Sequence, residues 1–157
     1  MMPSSAALES DGRDDFEEFF RRAEPKLRRA LSAAYGPERG REAAAAALAW
    51  AFEHREKIAS LSYPLGYLYR VGQSKVRRRR LRILHQPPDW REPWVEPELA
   101  SALRELTEHQ RVAVVLVHGY QWTQREVAEL LGVSPATVQS HLSRALERLR
   151  SELEVNN

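Results

Sequence analysis

Apolar side chains recur along most of the chain at intervals of three and four residues, which is the spacing of one face of an α-helix. One such series starts at Asp14 or Asp15 and closes before Gly36, and Pro25 within it predicts a kink or two abutting helices. The pattern predicts further helices over 38–59, from Pro64 onward, over 97–106 and over 107–119. The chain is therefore expected to be all-α.

Residues 123–150 carry two helical segments separated by a tight turn. Thr123 and Glu126 have the spacing of a capping box, which satisfies backbone donors at a helix start. Gly132 ends this helix, and Ser134 followed by Pro135 is a favourable start for the next one. Because each segment has one apolar stripe, the pattern predicts a helix-turn-helix. The alternative is an ordinary helical hairpin with a solvated outer face.

In a helix-turn-helix, the second helix turns the residues outside its apolar stripe toward the major groove of DNA. Gln can pair with the edge of adenine and Arg with guanine, whereas Ser and Thr hold phosphates or bases less selectively. The residues of this kind in the second helix are Ala136, Thr137, Gln139, Ser140, His141, Ser143 and Arg144.

Composition divides the chain into four parts. Residues 1–13 are small and polar and are expected to be disordered. Residues 14–84 form a helical domain, 85–98 a Pro-rich linker, and 99–155 a second, four-helix domain that contains the helix-turn-helix. Trp90 and Trp94 are too apolar for a solvated tether, so the linker is expected to lie against a surface. The predicted fold is two small all-α domains.

The positive charge lies mostly in the first domain. Residues 1–84 hold 17 Lys and Arg against 11 Asp and Glu, whereas residues 99–157 hold 6 against 7. No acid lies between Leu65 and Leu84, and tyrosines stand beside the cations. Cations with aromatic rings favour single-stranded nucleic acid, although a charge run can also be a solvated face or a localisation signal.

Other function classes lack the residues that they need. The chain has no Cys, its five His are scattered, and it has no Gly-rich phosphate loop and no nucleophile beside a base. We therefore expect no metal, no cofactor and no enzymatic activity. The first 20 residues contain no apolar run long enough for a signal peptide or a membrane span, so we expect a soluble, cytoplasmic protein.

These motifs together resemble a bacterial sigma factor of the extracytoplasmic-function (ECF) type that has only regions two and four. The segment LTEHQRVAVVLVHGYQWTQREVAELLGVSPATVQSHLSRALERLR is similar to region four throughout. FEEFFRRAEPKLRRAL and YPLGYLYRVGQSKVRRRR resemble helices of region two. The resemblance implies a subunit that binds core RNA polymerase, recognises promoter DNA and helps to open it.

The resemblance also implies roles for individual residues. The positions implied to read the upstream, minus-thirty-five element are Thr137, Gln139, Ser140, His141 and Arg144. Gln139 and His141 stand where the family often has cations, which lowers the expected electrostatic affinity. The positions implied to hold the melted minus-ten element are Tyr63, Tyr67, Arg70, Gln73, Ser74 and Arg77.

The second helix departs from the family pattern. The family usually has an acidic, glutamine-containing motif for core polymerase here, whereas this chain has REAAAAALAWAF. The positions implied for core binding are Glu42, Ala45, Ala46, Ala49 and Trp50. Binding to core polymerase is then expected to be weaker, to be made through Trp50 and apolar surface, or to depend on another protein. The alanine run itself has two explanations: high helix propensity, or a small-residue face that a partner or the first helix approaches closely.

Two alternatives stay open beside a promoter-specificity subunit. One is a sigma-like helix-turn-helix regulator of transcription that does not act as a subunit of core polymerase. The other, compatible with the first interpretation, is control by a partner such as an anti-sigma factor or another regulatory protein.

Overall fold

The computed structural model describes residues 5–80 and 96–155, all of which lie in helices and their connecting turns. The helices are α1 (Ser5–Tyr35), α2 (Pro37–Glu53), α3 (Arg55–Ser60), α4 (Pro64–Arg80), α5 (Pro97–Arg104), α6 (Glu108–Val114, continued by a π-helical turn Val115–Gly119), α7 (Gln124–Leu131) and α8 (Pro135–Val155). We call α1–α4 the N-terminal domain and α5–α8 the C-terminal domain. The all-α prediction is confirmed.

In the N-terminal domain α1, α2 and α4 pack unusually close together. A Cβ added to Gly40 of α2 would overlap the backbone of Ser32 in α1. A Cβ added to Gly72 of α4 would lie 2.6 Å from a methyl group of Leu31. Ala43, Ala44 and Ala47 are buried in this interface. The alanine run therefore serves, on one face, the close approach of the first helix.

The predicted start of α1 is corrected. Helix α1 begins at Ser5 rather than at Asp14 or Asp15, so residues 5–13 are helical and not disordered. The segment around Ala6 and Ala7 has high helix propensity and extends a helix that is already nucleated. Helix α1 is also continuous through Pro25. The carbonyl that Pro25 leaves without a backbone donor belongs to Arg21, which is exposed and can bond to water.

The predicted helix over 38–59 is divided into α2 and α3 at His54. The backbone of His54 leaves helical geometry, with φ −120° and ψ 40°. Its imidazole stacks on Trp50 at 4.1 Å between ring centroids, and its Nδ1 lies 2.8 Å from the Trp50 carbonyl oxygen. The imidazole can therefore compete with backbone N–H groups for the Trp50 carbonyl at the end of α2.

The C-terminal domain has the predicted four helices. Thr107 caps α6 through a capping box with Gln110, and Thr123 caps α7 through the backbone N–H of Glu126 at 3.1 Å. The predicted linker 85–98, with Trp90 and Trp94, lies outside the described residues except at its end, where Glu96 and Pro97 start α5.

Buried side chains of the two domains form one continuous apolar cluster. Leu27, Leu31 and Leu68 lie in it from the N-terminal domain, and Val112 and Leu116 from the C-terminal domain. The domains are therefore packed against each other rather than held apart.

Candidate nucleic-acid interface

The turn between α7 and α8 has the geometry that the sequence predicts. Gly132 adopts the left-handed conformation (φ 69°) that ends α7, and the Ser134 hydroxyl accepts a hydrogen bond from the Thr137 backbone N–H at 3.1 Å. Val138, Leu142 and Ala145 are buried, which fixes the rotation of α8 about its axis. The opposite face of α8 is consequently turned to solvent.

The five predicted reading positions share that outward side of α8. Gln139, Ser140 and Arg144 are exposed, and Thr137 and His141 are half-buried. The Gln139 side chain accepts a hydrogen bond from Gln124 of α7 at 2.7 Å, which links the two helices of the motif. The Ser140 hydroxyl donates to the Ala136 carbonyl at 3.2 Å. The structure therefore brings the predicted upstream-element residues together on one surface.

His141 lies beside a second histidine. Its ring meets that of His109 edge to face, with 5.4 Å between the centroids. Burial lowers the pKa of His141 below its ordinary value, and the nearby His109 and Arg144 lower it further. This reading position is consequently biased toward the neutral form.

The positions of α4 predicted to hold a melted strand occupy one broad face of the helix, whose two edges have different neighbours. On the side facing α2, the Tyr67 ring lies 5.4 Å from that of Trp50, and the Lys57 ammonium lies 5.0 Å from the Tyr67 centroid. Ser74, two turns further along this side, is exposed. A cation beside paired aromatic rings is a suitable platform for unpaired bases.

The other edge of this face carries Gly66, Arg70, Gln73 and Arg77, whose spacing of four, three and four residues defines one row along the helix. This edge is turned to the C-terminal domain. The Gln73 amide donates to Glu108 Oε1 at 2.7 Å, and Arg70 Nη1 lies 3.9 Å from a Cβ built on Gly132. Arg70 and Arg77 are exposed and Gln73 is half-buried. The six predicted positions therefore do not form one open surface.

Tyr63, just before α4, is half-buried and also borders the C-terminal domain. Its ring covers Gly66, where an added Cβ would lie 2.9 Å from Tyr63 Cδ1 and 3.4 Å from the Glu129 carbonyl oxygen of α7. Burial raises the pKa of Tyr63 above its ordinary value, and the carboxylates of Glu129 and Glu126 raise it further. The C-terminal domain thus lies within contact distance of this predicted base-binding residue.

Comparison with known proteins identifies the family. The family described as sigma-70, region 4 matches residues 97–149. An RNA polymerase sigma-E factor of Streptomyces antibioticus is 33% identical over 156 residues, covering 91% of this chain and 87% of that protein. RNA polymerase sigma-E factors of Streptomyces avermitilis and Streptomyces coelicolor are 50% and 49% identical over 56 and 55 residues. The chain belongs to the ECF-type RNA polymerase sigma factors.

A solved structure agrees with this family at the level of the fold. The sigma factor RpoE of Bartonella quintana, crystallised in complex with the anti-sigma factor NepR, matches with a TM-score of 0.65 and 19% sequence identity. The match covers 91% of this chain and 99% of that one. The two-domain helical architecture is therefore that of a sigma factor.

The predicted core-binding positions of this sigma factor lie on the outer part of α2. Glu42, Ala45 and Ala49 are exposed, and Ala46 and Trp50 are half-buried. Phe52 lies near the end of the same helix and is 57% exposed, with the Arg55 guanidinium 4.8 Å from its ring centroid. The outward face of α2 therefore carries small side chains, with aromatic groups toward its C-terminal end.

Sequence reasoning missed the role of Arg111, which is only 5% exposed. Its guanidinium donates to the carbonyls of Ala33 and Ala34 in α1, at 3.1 and 2.5 Å. It also donates to the carbonyls of Leu103 and Leu106, at 3.4 and 3.1 Å. These groups close the C-terminal ends of α1 and α5, where backbone acceptors lack helical partners and a cation is favoured.

Sequence reasoning missed Glu108 as well, but of the two residues only Arg111 has a signal in the sequence. Arg111 is a lone cation in the apolar run QRVAVVLV, and a buried cation must find acceptors. Glu108 has the pattern of an ordinary first-turn acid, and nothing local indicates its partners in the other domain.

The described part of the chain offers neither a metal site nor a membrane span. No group of three or more His, Cys, Asp or Glu side chains within residues 5–80 and 96–155 could hold a metal ion. Across the same ranges, no helix of this sigma factor is long and apolar enough to cross a membrane.

Proposed function

We propose that this sigma factor binds core RNA polymerase and directs it to promoters, with α8 reading an upstream, minus-thirty-five element and α4 holding the melted minus-ten strand. The observation that carries the proposal is the outward face of α8, where Gln139, Ser140 and Arg144 are exposed on a correctly capped helix-turn-helix. We further propose that it acts in the cytoplasm and has no catalytic activity of its own.

Gln139 and Arg144 are the residues best suited to read bases. A Gln amide can bond to the N6 and N7 edge of adenine and an Arg guanidinium to O6 and N7 of guanine. Thr137 and Ser140 are suited to backbone positioning instead. The bond from Gln124 restricts Gln139 before DNA arrives, which lowers the entropy that binding must remove.

The melted strand is proposed to contact Tyr63, Tyr67, Arg70, Gln73, Ser74 and Arg77. Strand opening costs stacking energy, which bases can recover by stacking on aromatic rings. Tyr67 supports this role, since the Lys57 ammonium lies 5.0 Å from the centroid of its ring.

Core polymerase is proposed to dock on the outer face of α2, at Glu42, Ala45, Ala46, Ala49 and Trp50. Only Glu42 offers a carboxylate among these residues, so the contact is mainly apolar. An anti-sigma factor is a further proposed partner, because the similar Bartonella sigma factor was crystallised with one.

The experiment is transcription in vitro with core polymerase and a promoter library. We expect the double variant Gln139→Ala, Arg144→Ala to lose promoter-specific transcripts while it still binds core polymerase. Each lost base contact is worth about 1–3 kcal/mol, so the combined loss is roughly 30-fold or more. Arg150→Ala is the matched control, since it removes an exposed cation from the same helix outside the reading positions.

A second candidate is a sigma-like DNA-binding regulator that does not join core polymerase. The alanines at 45 and 46 favour it, because they lack the polar groups usual in the family's core-binding motif. Specific duplex binding by the protein alone, together with no association with core polymerase, would favour this candidate and contradict the first.

A further inference from the structure

The outward face of α8 is held at both of its edges by side chains from neighbouring helices. Because each residue turns a helix by about 100°, Gln139 and His141 lie at opposite edges of this face. At one edge, Gln139 accepts a hydrogen bond from Gln124 of α7 at 2.7 Å. At the other, the His141 ring meets that of His109 of α6, with 5.4 Å between the centroids. Gln124 belongs to the helix-turn-helix, so His109 is a contact of the reading face that comes from outside the motif.

The contact between His109 and His141 restricts the orientation of the His141 ring. The two ring planes are inclined at 79°, so the edge of one imidazole is directed at the face of the other. Both residues are half-buried. An edge-to-face arrangement is favourable because the edge of an aromatic ring is positive and its face is negative. The position of the His141 ring is therefore selected before DNA arrives.

The charged groups that face His141 come from α5, α6 and α8. Arg144 lies one turn along α8, and His109 lies on α6. From α5, the Glu105 carboxylate lies 3.7 Å from the Arg148 guanidinium, two turns further along α8 than His141. From α7, the described polar contact with this part of α8 is the uncharged glutamine amide. Burial, His109 and Arg144 all lower the pKa of His141, so its surroundings oppose a positive charge on the ring.

The two protonation states of His141 suit different bases. A neutral imidazole has one donor nitrogen and one acceptor nitrogen, whereas an imidazolium has two donors. In the major groove, adenine and cytosine present an amino donor, and guanine presents two acceptors, O6 and N7. Neutral His141 can accept from an amino group, but the imidazolium can only donate, which favours guanine. The charge on this ring therefore changes the bases that it can match.

We propose that His109 is a positioning residue for promoter reading: it orients the His141 imidazole at the edge of the reading face and couples the base preference of that position to pH. The inference rests on the proposed function for the role of α8. The phosphates of DNA favour the imidazolium, so binding at a guanine takes up a proton. By linkage, the affinity for such a site rises as the pH falls. His109 opposes protonation and moves this rise to lower pH.

The first arm of the test uses the full chain bound to core polymerase and promoter duplexes randomised over the upstream element. Bound duplexes are sequenced at about pH 7.5 and about pH 5.5, on either side of the ordinary His pKa of about 6.5. The second arm follows the His141 imidazole of the free full-length chain by NMR during a pH titration. Its signal is assigned as the one absent from His141→Gln.

Two variants of His109 separate its ring from its charge. His109→Gln removes both, whereas His109→Phe keeps a ring but cannot be protonated. His118→Gln is the matched control, because it removes an exposed histidine at the end of α6 from the same domain.

In the wild type, we expect the preference for guanine at one position of the upstream element to rise about fivefold from the higher to the lower pH, because hydrogen bonds from a charged donor are the stronger ones. His141→Gln should abolish this rise. His109→Gln should raise the pKa of His141 and give part of the guanine preference already at the higher pH. His109→Phe should do the same to a smaller extent, since its ring still buries His141. His118→Gln should behave as the wild type.

The proposal would be overturned by a guanine preference that is independent of pH in the wild type, or that changes equally in His141→Gln. An unchanged His141 titration and unchanged base preferences in both His109 variants would also overturn it. So would equal effects of His118→Gln and His109→Gln, since the cause would then be the charge of the whole domain. If selection is promoter-specific but insensitive to pH, the inference fails and the proposed function stands. If no sequence is selected at either pH, both fail.

Discussion

The two helices proposed to face DNA, α8 and α4, differ in charge and in access. Helix α8 presents its reading residues to solvent, but its domain is nearly neutral, with 6 cations against 7 acids over residues 99–157. Helix α4 belongs to the basic domain, but one of its faces is turned to the C-terminal domain. Open reading surface and positive charge thus lie in different domains, so neither domain alone has everything that strong promoter binding requires.

The largest expected effect is on stability and comes from disturbing the packing of α4 against α1 and α2. Gly72→Ala places a methyl group 2.6 Å from Leu31 Cδ1 and 3.4 Å from the Ala43 carbonyl oxygen. Overpacking of this kind typically costs about 1–3 kcal/mol, which urea unfolding of the whole chain would detect as a lower midpoint.

Gly119→Ala is the control for that substitution. Its added Cβ has only Val115 Cγ1 near it, at 3.9 Å, which is ordinary contact. An equal loss of stability in the two variants would contradict the idea that α4 is held by close approach to α1 and α2.

The salt dependence of DNA binding tests the difference in charge between the two domains. Arg111 is buried and Arg148 pairs with Glu105, so two of the six arginines in residues 99–157 are already engaged. If α8 alone holds duplex DNA, the logarithm of the binding constant of the full chain should fall with the logarithm of the salt concentration. The expected slope is about −2 to −3, because two or three phosphates would be neutralised. Arg144→Ala should leave that slope nearly unchanged, because Arg144 is proposed to contact a base edge rather than a phosphate.

A much steeper slope would contradict this expectation. A value beyond about −6 would require more phosphate contacts than α8 and its neighbours supply. The arginines of α4 would then contact duplex DNA as well, and the assignment of duplex binding to α8 alone would be wrong.

The same comparison explains what the sequence could predict. The face of α8 follows from local rules: a Ser134 cap, a glycine turn and a helical apolar stripe determine which residues point outward. The face of α4 does not, because the sequence around Gln73 fits a solvent-exposed residue and a DNA contact equally well. Its actual partner, Glu108, lies in another domain, and no local pattern connects the two residues.

The errors in helix limits have the same origin. The polar composition of residues 5–13 predicted disorder, although a helix that is already stabilised by packing can extend through weakly favourable residues. Pro25 predicted a kink or two abutting helices, and the second alternative is wrong because α1 continues through Pro25, where the orphaned carbonyl faces water. The alanine run illustrates the opposite case, because its interpretation as a close-approach face for the first helix follows from side-chain size and agrees with the buried Ala43, Ala44 and Ala47.

The smallest expected effect concerns His141 on the open helix. Its pKa in the folded chain is lowered by burial and by His109 and Arg144, so the folded state binds the proton less readily than the unfolded state. The stability that follows from this difference is fully present above the ordinary His pKa of about 6.5 and is lost as the pH falls below it.

Thermal unfolding of the wild type should therefore shift downward between about pH 7.5 and 5 by slightly more than that of His141→Gln. His109→Gln should reduce the difference as well, because it removes one of the groups that disfavour the proton on His141. Identical pH profiles for all three proteins would show that the contact between the two rings is not linked to protonation. The open helix would then differ from α4 in access and charge alone, with no dependence of its stability on the proton.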